Sequence, residues 1–380
     1  MRKRTIFTLA LALGAILVVP AFAADTVRIG AIFAVTGPAA TLGLPEARTL
    51  QMLVDDANAA GGVLGRKIEL IIKDSQGNAE KAVSFAKQLV EESQVLAIIG
   101  PTTSGESMAL KGYADQNEQI LISCAAAATI VNPVAKWVFK TPQMDSFAAQ
   151  AIFTTMKKLG LGRIGVVVSN TGFGQGGKAQ LEKLAPQNGI TIAITEVYDS
   201  TATDLTAVLA KVKAQNVQAV VNWSVEPAQS LVPKNMRQMG FDVPLFQSHG
   251  FGNIAFVTAA GKAADGIIFP AGRLLVADVL PAGHPQKQLL AAYKKAYEAK
   301  FHEDVSTFGG HAYDAFLILT EGIRKAGSTD KAAVRDAIEG LKGVVGTAGV
   351  FNFSPEDHNG LTMDSFEMLT VKNGQFALCR

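Results

Sequence analysis

Hydroxyl side chains and glycines are concentrated in the segment Gly100–Gly105, which reads Gly-Pro-Thr-Thr-Ser-Gly. The apolar run Val95–Ile99 before it predicts a strand, and the sequence after it predicts a helix. Backbone N–H groups and the positive end of a helix dipole bind carboxylates and other anions at such a junction. The hydroxyls of Thr102, Thr103 and Ser104 therefore predict an anion site. The simpler alternative is a helix N-cap formed by Thr103 or Ser104.

A second run of small residues, Ser123–Thr129, follows the next predicted strand. Short side chains at Ala125, Ala126 and Ala127 would leave backbone N–H and C=O groups open to a ligand. The same residues could instead pack tightly in a core.

The segment Gly172–Gly177 contains the spacing G-x-G-x-x-G between a predicted strand and a predicted helix. Glu196 and Asp199 lie about as far downstream as the acidic residue of a dinucleotide site. Against a dinucleotide enzyme, the bulky Phe173 separates the first two glycines, and the match lies at the start of the second predicted lobe of a chain expected to be exported. A lone match of this kind is weak evidence.

Other candidate ligand contacts occupy loops in the same half of the chain. His249 lies in a loop after a predicted strand, and Trp223 and Glu226 occupy a comparable loop with Phe173 nearby. The histidines have no H-E-x-x-H or clustered spacing, and no G-x-S-x-G motif is present. We therefore expect no metal, no cofactor and no catalysis.

The amino terminus predicts export. Arg2–Arg4 form a basic region, Ile6–Val19 is apolar and uncharged, and Ala21–Ala23 has the A-x-A pattern of a cleavage site. We expect cleavage after Ala23. The alternative, a membrane anchor, needs a run of about 20 apolar residues, which is longer than this one. No cysteine at the cleavage point offers a lipid attachment site.

The overall charge argues against nucleic acid as a partner. The net charge is +2, and loss of the three basic residues of the signal peptide would leave the mature chain near neutrality, without a basic stripe. The two cysteines, Cys124 and Cys379, allow at most one disulfide, and the sequence leaves their pairing open.

Strands and helices alternate along the chain, and the alternation restarts near residue 150. This order predicts an α/β fold with mostly parallel sheets that are covered by helices on both faces. At 380 residues the chain is long enough for two lobes. No Pro- or Ser-rich linker separates the halves, so short crossovers that act as a hinge are expected.

In this order the motifs make the chain resemble the type I periplasmic solute-binding proteins of branched-chain amino acid ABC importers, the leucine/isoleucine/valine-binding family. The resemblance rests on Ile29–Pro38, Asp55–Arg66, Asp74-Ser75, Ile98–Pro101, Phe173–Gly176, Tyr313–Ala315 and Phe353–Gly360. It implies two lobes joined by three crossovers, with ligand bound between them. Residues 1–23 would be the signal peptide. Residues 24–142 with 272–348 would form the first lobe, and residues 143–271 with 349–380 the second.

The resemblance also implies roles for single residues. Ser104 and Ala125 match positions that hold the ligand's carboxylate and amine. Ala127 stands where a threonine is frequent, and Leu42 where an aromatic residue often lines the pocket. His249 occupies the position of the glutamate that pairs with the ligand ammonium.

Phe173 stands where a tyrosine is common, and Arg273 near a crossover is either a carboxylate contact or an exposed hinge charge. A histidine cannot replace the charge-assisted contact of a glutamate with an ammonium. We therefore expect a small carboxylate without an α-amine, aromatic or 2-oxo. A branched-chain or other apolar amino acid stays the alternative, because Glu226 could supply the missing charge.

The implied protein is a periplasmic monomer that delivers its ligand to an ABC importer permease. A soluble sensory protein of the same fold is the competing function, since a fold does not determine a function.

Overall fold

Two sheets with different strand directions organise the computed structural model, which describes residues 26–379. The first is five-stranded and parallel, in the order β2-β1-β3-β4-β5. Its strands are β1 (Val27–Phe33), β2 (Ile68–Asp74), β3 (Ala97–Ile99), β4 (Ile120–Ser123) and β5 (Val138–Lys140). The predicted signal peptide, residues 1–23, lies outside the described residues.

The second sheet is seven-stranded and mixed, in the order β14-β13-β10-β9-β8-β6-β7. Its parallel strands are β6 (Arg163–Ser169), β7 (Thr191–Tyr198), β8 (Ala219–Trp223), β9 (Leu245–Gln247) and β10 (Ile268–Ala271). A short ribbon follows, β11 (Val344–Val345) with β12 (Val350–Phe351). The chain then adds β13 (Glu367–Lys372) and β14 (Gln375–Leu378) as antiparallel strands at the edge.

Helices connect the strands and cover the sheets. They are α1 (Ala40–Ala59), α2 (Ala79–Lys87), α3 (Ser104–Gln116), α4 (Asp145–Lys158), α5 (Gly172–Leu184), α6 (Thr206–Lys213), α7 (Leu231–Gln238), α8 (Ile254–Ala260), α9 (Lys287–Phe301), α10 (Thr307–Ala326) and α11 (Lys331–Glu339). Several begin at polar caps, as sequence rules predict: Asn78 caps α2, Thr171 caps α5 and Ser306 caps α10. The α/β architecture expected from the alternating pattern is confirmed.

The helix α10 packs against α1 and the first sheet. In the sequence, however, more than a hundred residues that form the second sheet and its helices lie between the first sheet and α10. Its buried face supplies Ala315, Ile318 and Leu319 to the same core as Ile29 and Ile122. The apolar face of α10 is removed from water only when the chain comes back to the first sheet and packs on it. The first lobe is therefore built from two segments that are separate in the sequence.

The chain crosses between the sheets in three places, and the third crossover lies later than the predicted boundary after residue 348. Phe351, Phe353 and Leu361 still pack in the core of the first sheet, whereas Phe366 packs in the core of the second. The chain therefore returns to the second lobe close to residue 366. The other lobe boundaries stay a prediction.

Hydrogen bonds tie the crossovers together. The Gln143 side chain donates to the carbonyl oxygen of Ala348 at 2.9 Å, and the Asn359 side chain donates to that of Pro142 at 2.8 Å. Buried side-chain amides that are paired with backbone carbonyls hold the neighbouring crossover segments in fixed register.

Within residues 26–379, no helix has both the length and the hydropathy needed to cross a membrane. Cys124 is buried, Cys379 is half-buried, and both thiols are free. The disulfide left open by the sequence is therefore not formed here.

Candidate functional site

A small cavity lies between the two lobes. The first lobe contributes the loops after β3, β4 and β5 together with residues of α1 and α10, and the second contributes the loops after β6, β8 and β9. Its walls are formed by Leu42, Thr102, Thr103, Ser104, Cys124, Ala125, Ala126, Pro142, Phe173, Val225, His249, Gly250, Phe308 and His311. Most of the predicted ligand contacts are therefore brought together, although they come from distant parts of the sequence.

Three hydroxyls were expected to converge on an anion, but two of them are used within the protein. Thr103 caps α3: its Oγ1 accepts from the Glu106 N–H at 3.3 Å, and the Glu106 carboxyl accepts in return from the Thr103 N–H. The Thr102 hydroxyl accepts from the Ala34 N–H at 3.0 Å and donates to Glu46. Both threonines thus position the loop and do not offer free donors.

Ser104 is the hydroxyl that stays available. It is the first residue of α3, and its Oγ accepts from the Ala127 N–H at 3.2 Å. Among the described residues no acceptor takes the hydroxyl hydrogen of Ser104, so it can be donated into the cavity. The amino end of α3 adds its positive dipole at the same point. Ala127 itself does not line the cavity, and its contribution is to orient Ser104.

His249 forms the opposite wall, inside a cluster of aromatic rings. Its ring centroid lies 5.4 Å from that of Phe173, 5.7 Å from that of Trp223 and 5.6 Å from that of Phe366, all in edge-on arrangements. Neither ring nitrogen has a hydrogen-bond partner within the described residues. Burial lowers the pKa of His249 well below its usual value, and the charge of Lys140 acts in the same direction. Burial therefore favours the neutral form of this imidazole.

Buried polar groups that the sequence interpretation missed lie around this wall. Asp145 begins α4, and its carboxyl Oδ1 is 3.6 Å from His249 Nε2, too far for a hydrogen bond. Lys140 ends β5 and donates to the carbonyl oxygen of Pro142 at 2.7 Å. Burial raises the pKa of Asp145 and lowers that of Lys140.

His311 on α10 was also missed, although it lines the cavity. Burial lowers its pKa to about 3, and the positive charge of Lys140 contributes. His311 follows a short Gly-rich stretch of a long helix, and nothing in its neighbourhood marks it as a ligand contact. Only the return of α10 to the first lobe brings it to the cleft.

Three further predicted contacts lie outside the cavity wall. Trp223 is completely buried behind Phe173 and His249, and it supports both rings. Arg273 donates to the carboxylate of Glu367 at 3.0 Å and does not reach the cavity. It is held in a local ion pair because β13 lies beside β10 at the point where Arg273 follows that strand.

Glu226 stands at the mouth of the cavity. Its Oε2 accepts from the Ser224 hydroxyl at 2.6 Å and from the Val225 N–H at 3.2 Å. It lines an adjoining cleft together with Thr103, Ser104 and other residues. Its carboxylate is therefore near the entrance but forms no part of the inner wall.

The G-x-G-x-x-G segment does not form a phosphate-binding loop. Residues 172–177 are the first turns of α5. A Cβ atom at Gly177 would lie 2.2 Å from the indole nitrogen of Trp223, so this glycine allows the helix to lie directly on the ring. Among residues 26–379, moreover, no three side chains of the metal-binding types are grouped as a metal site.

Comparison with known proteins agrees with this architecture. Residues 26–375 match the model of a family described as periplasmic binding protein. The chain is 27% identical over 320 residues to a leucine-, isoleucine-, valine-, threonine- and alanine-binding protein of Pseudomonas aeruginosa, covering 83% of each chain.

Solved structures give the same result. An extracellular ligand-binding receptor from Rhodopseudomonas palustris HaA2 is 28% identical with a TM-score of 0.88, covering 93% of this chain and 100% of that one. The branched-chain amino acid transporter substrate-binding protein LivJ from Streptococcus pneumoniae, solved with isoleucine, is 27% identical with a TM-score of 0.81. That match covers 93% of this chain and 98% of the other.

Proposed function

The chain belongs to the periplasmic binding protein family as a solute-binding protein of the ABC transporter class, and we propose that its ligand is a small carboxylate without an α-amine. The observation that supports this proposal is the composition of the cavity wall. Within the described part of the chain, the wall contains a free hydroxyl donor at Ser104, a neutral imidazole at His249, and no Asp or Glu.

The carboxylate end of the ligand would lie at Ser104. Its hydroxyl hydrogen is free. The N–H groups in the first turn of α3 have no carbonyl within the helix to accept their hydrogen bonds. Hydrogen bonds to a charged group are stronger than those between neutral groups. An anion at this point is therefore bound by both the hydroxyl and the helix terminus.

An ammonium group would have no anionic partner in the cavity wall. Transfer of an unpaired charge out of water is costly, and the lost charge-assisted hydrogen bond is itself worth about 1.5–3 kcal/mol. The remaining wall is apolar or aromatic, with Leu42, Phe173 and Phe308 among its members. This combination favours an aromatic or 2-oxo acid over an amino acid.

A branched-chain or other apolar amino acid is the second candidate. The names of the relatives favour it, and the Glu226 carboxylate near the mouth could accept an ammonium. For that contact the amine of the ligand would have to lie near Glu226, while the carboxylate of the same ligand is bound at Ser104.

Matched ligand pairs separate the two candidates. We would titrate the mature chain, residues 24–380, with 4-methyl-2-oxopentanoate against leucine, with phenylpyruvate against phenylalanine, and with benzoate, using calorimetry and thermal shifts. Each of the two pairs differs only in the 2-oxo or 2-amino group. We expect tighter binding of the oxo acid in each pair, and ligands recovered unchanged. Binding of leucine without binding of its oxo analogue would reject the proposal.

The lobes would open and close around this ligand. The Asn253 side chain of the second lobe donates to the carbonyl oxygen of Thr41 in the first at 2.8 Å, and the Thr307 N–H donates to that of Gly252 at 3.0 Å. These contacts join the lobes over the cavity. Hinge opening would break them and admit the ligand, and we propose that the closed monomer is then presented to a membrane permease in the periplasm. A soluble sensory role is the alternative, and stimulation of a reconstituted permease by the loaded protein would decide against it.

A further inference from the structure

Two buried imidazoles line the same cavity, and three of their four ring nitrogens lack a hydrogen-bond partner among the described residues. His249 and His311 are each 7% exposed, and within residues 26–379 neither ring nitrogen of His249 nor Nδ1 of His311 has a hydrogen-bond partner. A neutral imidazole has one N–H donor and one acceptor nitrogen. Buried groups of this kind are normally paired, so unpartnered nitrogens on two rings in one cavity point to a ligand that pairs with them.

The histidines occupy the inner end of the cavity. Ser104 and Phe173 line both the cavity and the adjoining cleft that Glu226 also lines, whereas His249 and His311 line the cavity alone. Lys140, buried in the first crossover, lies within electrostatic reach of both rings. A ligand whose carboxylate lies at Ser104 would therefore bring its opposite end to the two imidazoles.

The ionisable groups around the inner end have opposite charges, so neither an anion nor a cation on the ligand is attracted by both of them. The Asp145 carboxyl lies 3.6 Å from His249 and would repel an anion whenever it is ionised. Lys140 has the opposite charge when it is protonated, so it would repel a cation and attract an anion. An uncharged hydroxyl can donate to one imidazole and accept from the other, and so satisfies both.

We propose that His249 and His311 bind an uncharged hydroxyl group at the end of the ligand remote from its carboxylate. The substrate class is then a hydroxylated aromatic carboxylate. This inference rests on the proposed function, because it takes the carboxylate at Ser104 as given. It adds a specificity determinant that acts on a different end of the molecule.

Pairs of ligands of equal shape test the inference. Calorimetry on the mature chain would compare 4-hydroxybenzoate with 4-methylbenzoate, and 4-hydroxyphenylacetate with 4-methylphenylacetate. We expect the hydroxyl compound to bind about tenfold more tightly in at least one pair, as a hydrogen bond within a dry site provides. Equal affinities within both pairs would overturn the inference while leaving the carboxylate proposal intact.

Variants locate the effect. His311→Phe and His249→Phe keep a flat ring and remove the nitrogens, so each should reduce the preference for hydroxyl over methyl while the methyl compound still binds. His284→Phe, whose ring lies outside the cavity, is the control and should keep the full preference. If one variant does not fold, the other and the wild-type comparison still decide.

Two further ligands distinguish the remaining possibilities. Tighter binding of terephthalate than of 4-hydroxybenzoate would overturn the inference, because it would show that the inner end accepts a second anion. Binding of leucine with no response to any aromatic acid or 2-oxo acid would reject the proposed function and this inference together.

Discussion

The hydroxyl of Ser104 is the sharpest point at which the proposed site can be tested. In Ser104→Ala, the donor to the ligand carboxylate is removed, together with the acceptor for the Ala127 N–H at 3.2 Å. The helix cap at Thr103 and its bonds with Glu106 involve other atoms and should persist. The substitution therefore removes one contact with the ligand and leaves the loop that positions it.

The size of the effect follows from the charge of the acceptor. A hydrogen bond to an ionised group contributes about 1.5–3 kcal/mol, which corresponds to a dissociation constant about 10 to 150 times larger. The Ala127 N–H loses its partner inside a buried segment, so the free energy of unfolding should also fall, by about 1–3 kcal/mol.

Calorimetric titration of the best carboxylate from the matched pairs measures the first effect, and urea denaturation measures the second. Ser107→Ala is the control. Ser107 lies one turn further along α3, and its hydroxyl is paired with that of Ser123 at 2.7 Å outside the cavity. The Ser107→Ala substitution should lower the free energy of unfolding without raising the dissociation constant of the ligand. Equal affinity of Ser104→Ala and the wild type, or an equal loss in Ser107→Ala, would refute the assignment of the carboxylate to Ser104.

Three further substitutions test other parts of the structure. Glu226→Gln should not weaken binding of a 2-oxo acid, since the proposed ligand has no ammonium; a clear loss in titration would mean that this carboxylate contacts the ligand. Gly177→Ala should cost about 1–3 kcal/mol in urea denaturation, because its Cβ would overlap Trp223, whereas Gly112→Ala has open space and should not destabilise. Equal midpoints would contradict this packing. In the folded protein the pKa of His311 is about 3, whereas in the unfolded chain it is near the ordinary value of 6.5. Between these pH values the imidazole is therefore protonated only in the unfolded chain. Relative to His311→Phe, the wild type should therefore lose up to about 1.4 kcal/mol per pH unit as the pH falls below 6.5, and parallel stability curves would refute this.

The glycine-rich segment 172–177 shows how one pattern can serve two purposes. Its spacing matches a phosphate-binding fingerprint, yet the glycines lie within a helix and allow it to approach Ser169 and Trp223 closely. Close packing of helix on strand and close approach of backbone to a phosphate both require the absence of a Cβ atom. The spacing alone cannot distinguish these two causes.

The local features of this protein could be predicted from the sequence because they depend on neighbouring residues. Apolar periodicity predicted the alternating strands and helices, and the position of Gly100–Gly105 between a strand and a helix predicted the loop that lines the cleft. The simpler alternative considered for that loop, an N-cap at Thr103, is also confirmed. Each of these inferences needs only a few consecutive residues, whose backbone preferences and hydrogen bonds act over short range.

Only the tertiary structure decided which polar groups are free to act. The Thr102 hydroxyl is used by Ala34 and Glu46, which lie 68 and 56 residues away. His311 reaches the cavity because α10 returns to the first lobe, and Arg273 is held away from the cavity by its ion pair with Glu367. The donors available to a ligand are those that folding leaves unpaired, and this depends on long-range contacts that no local pattern contains.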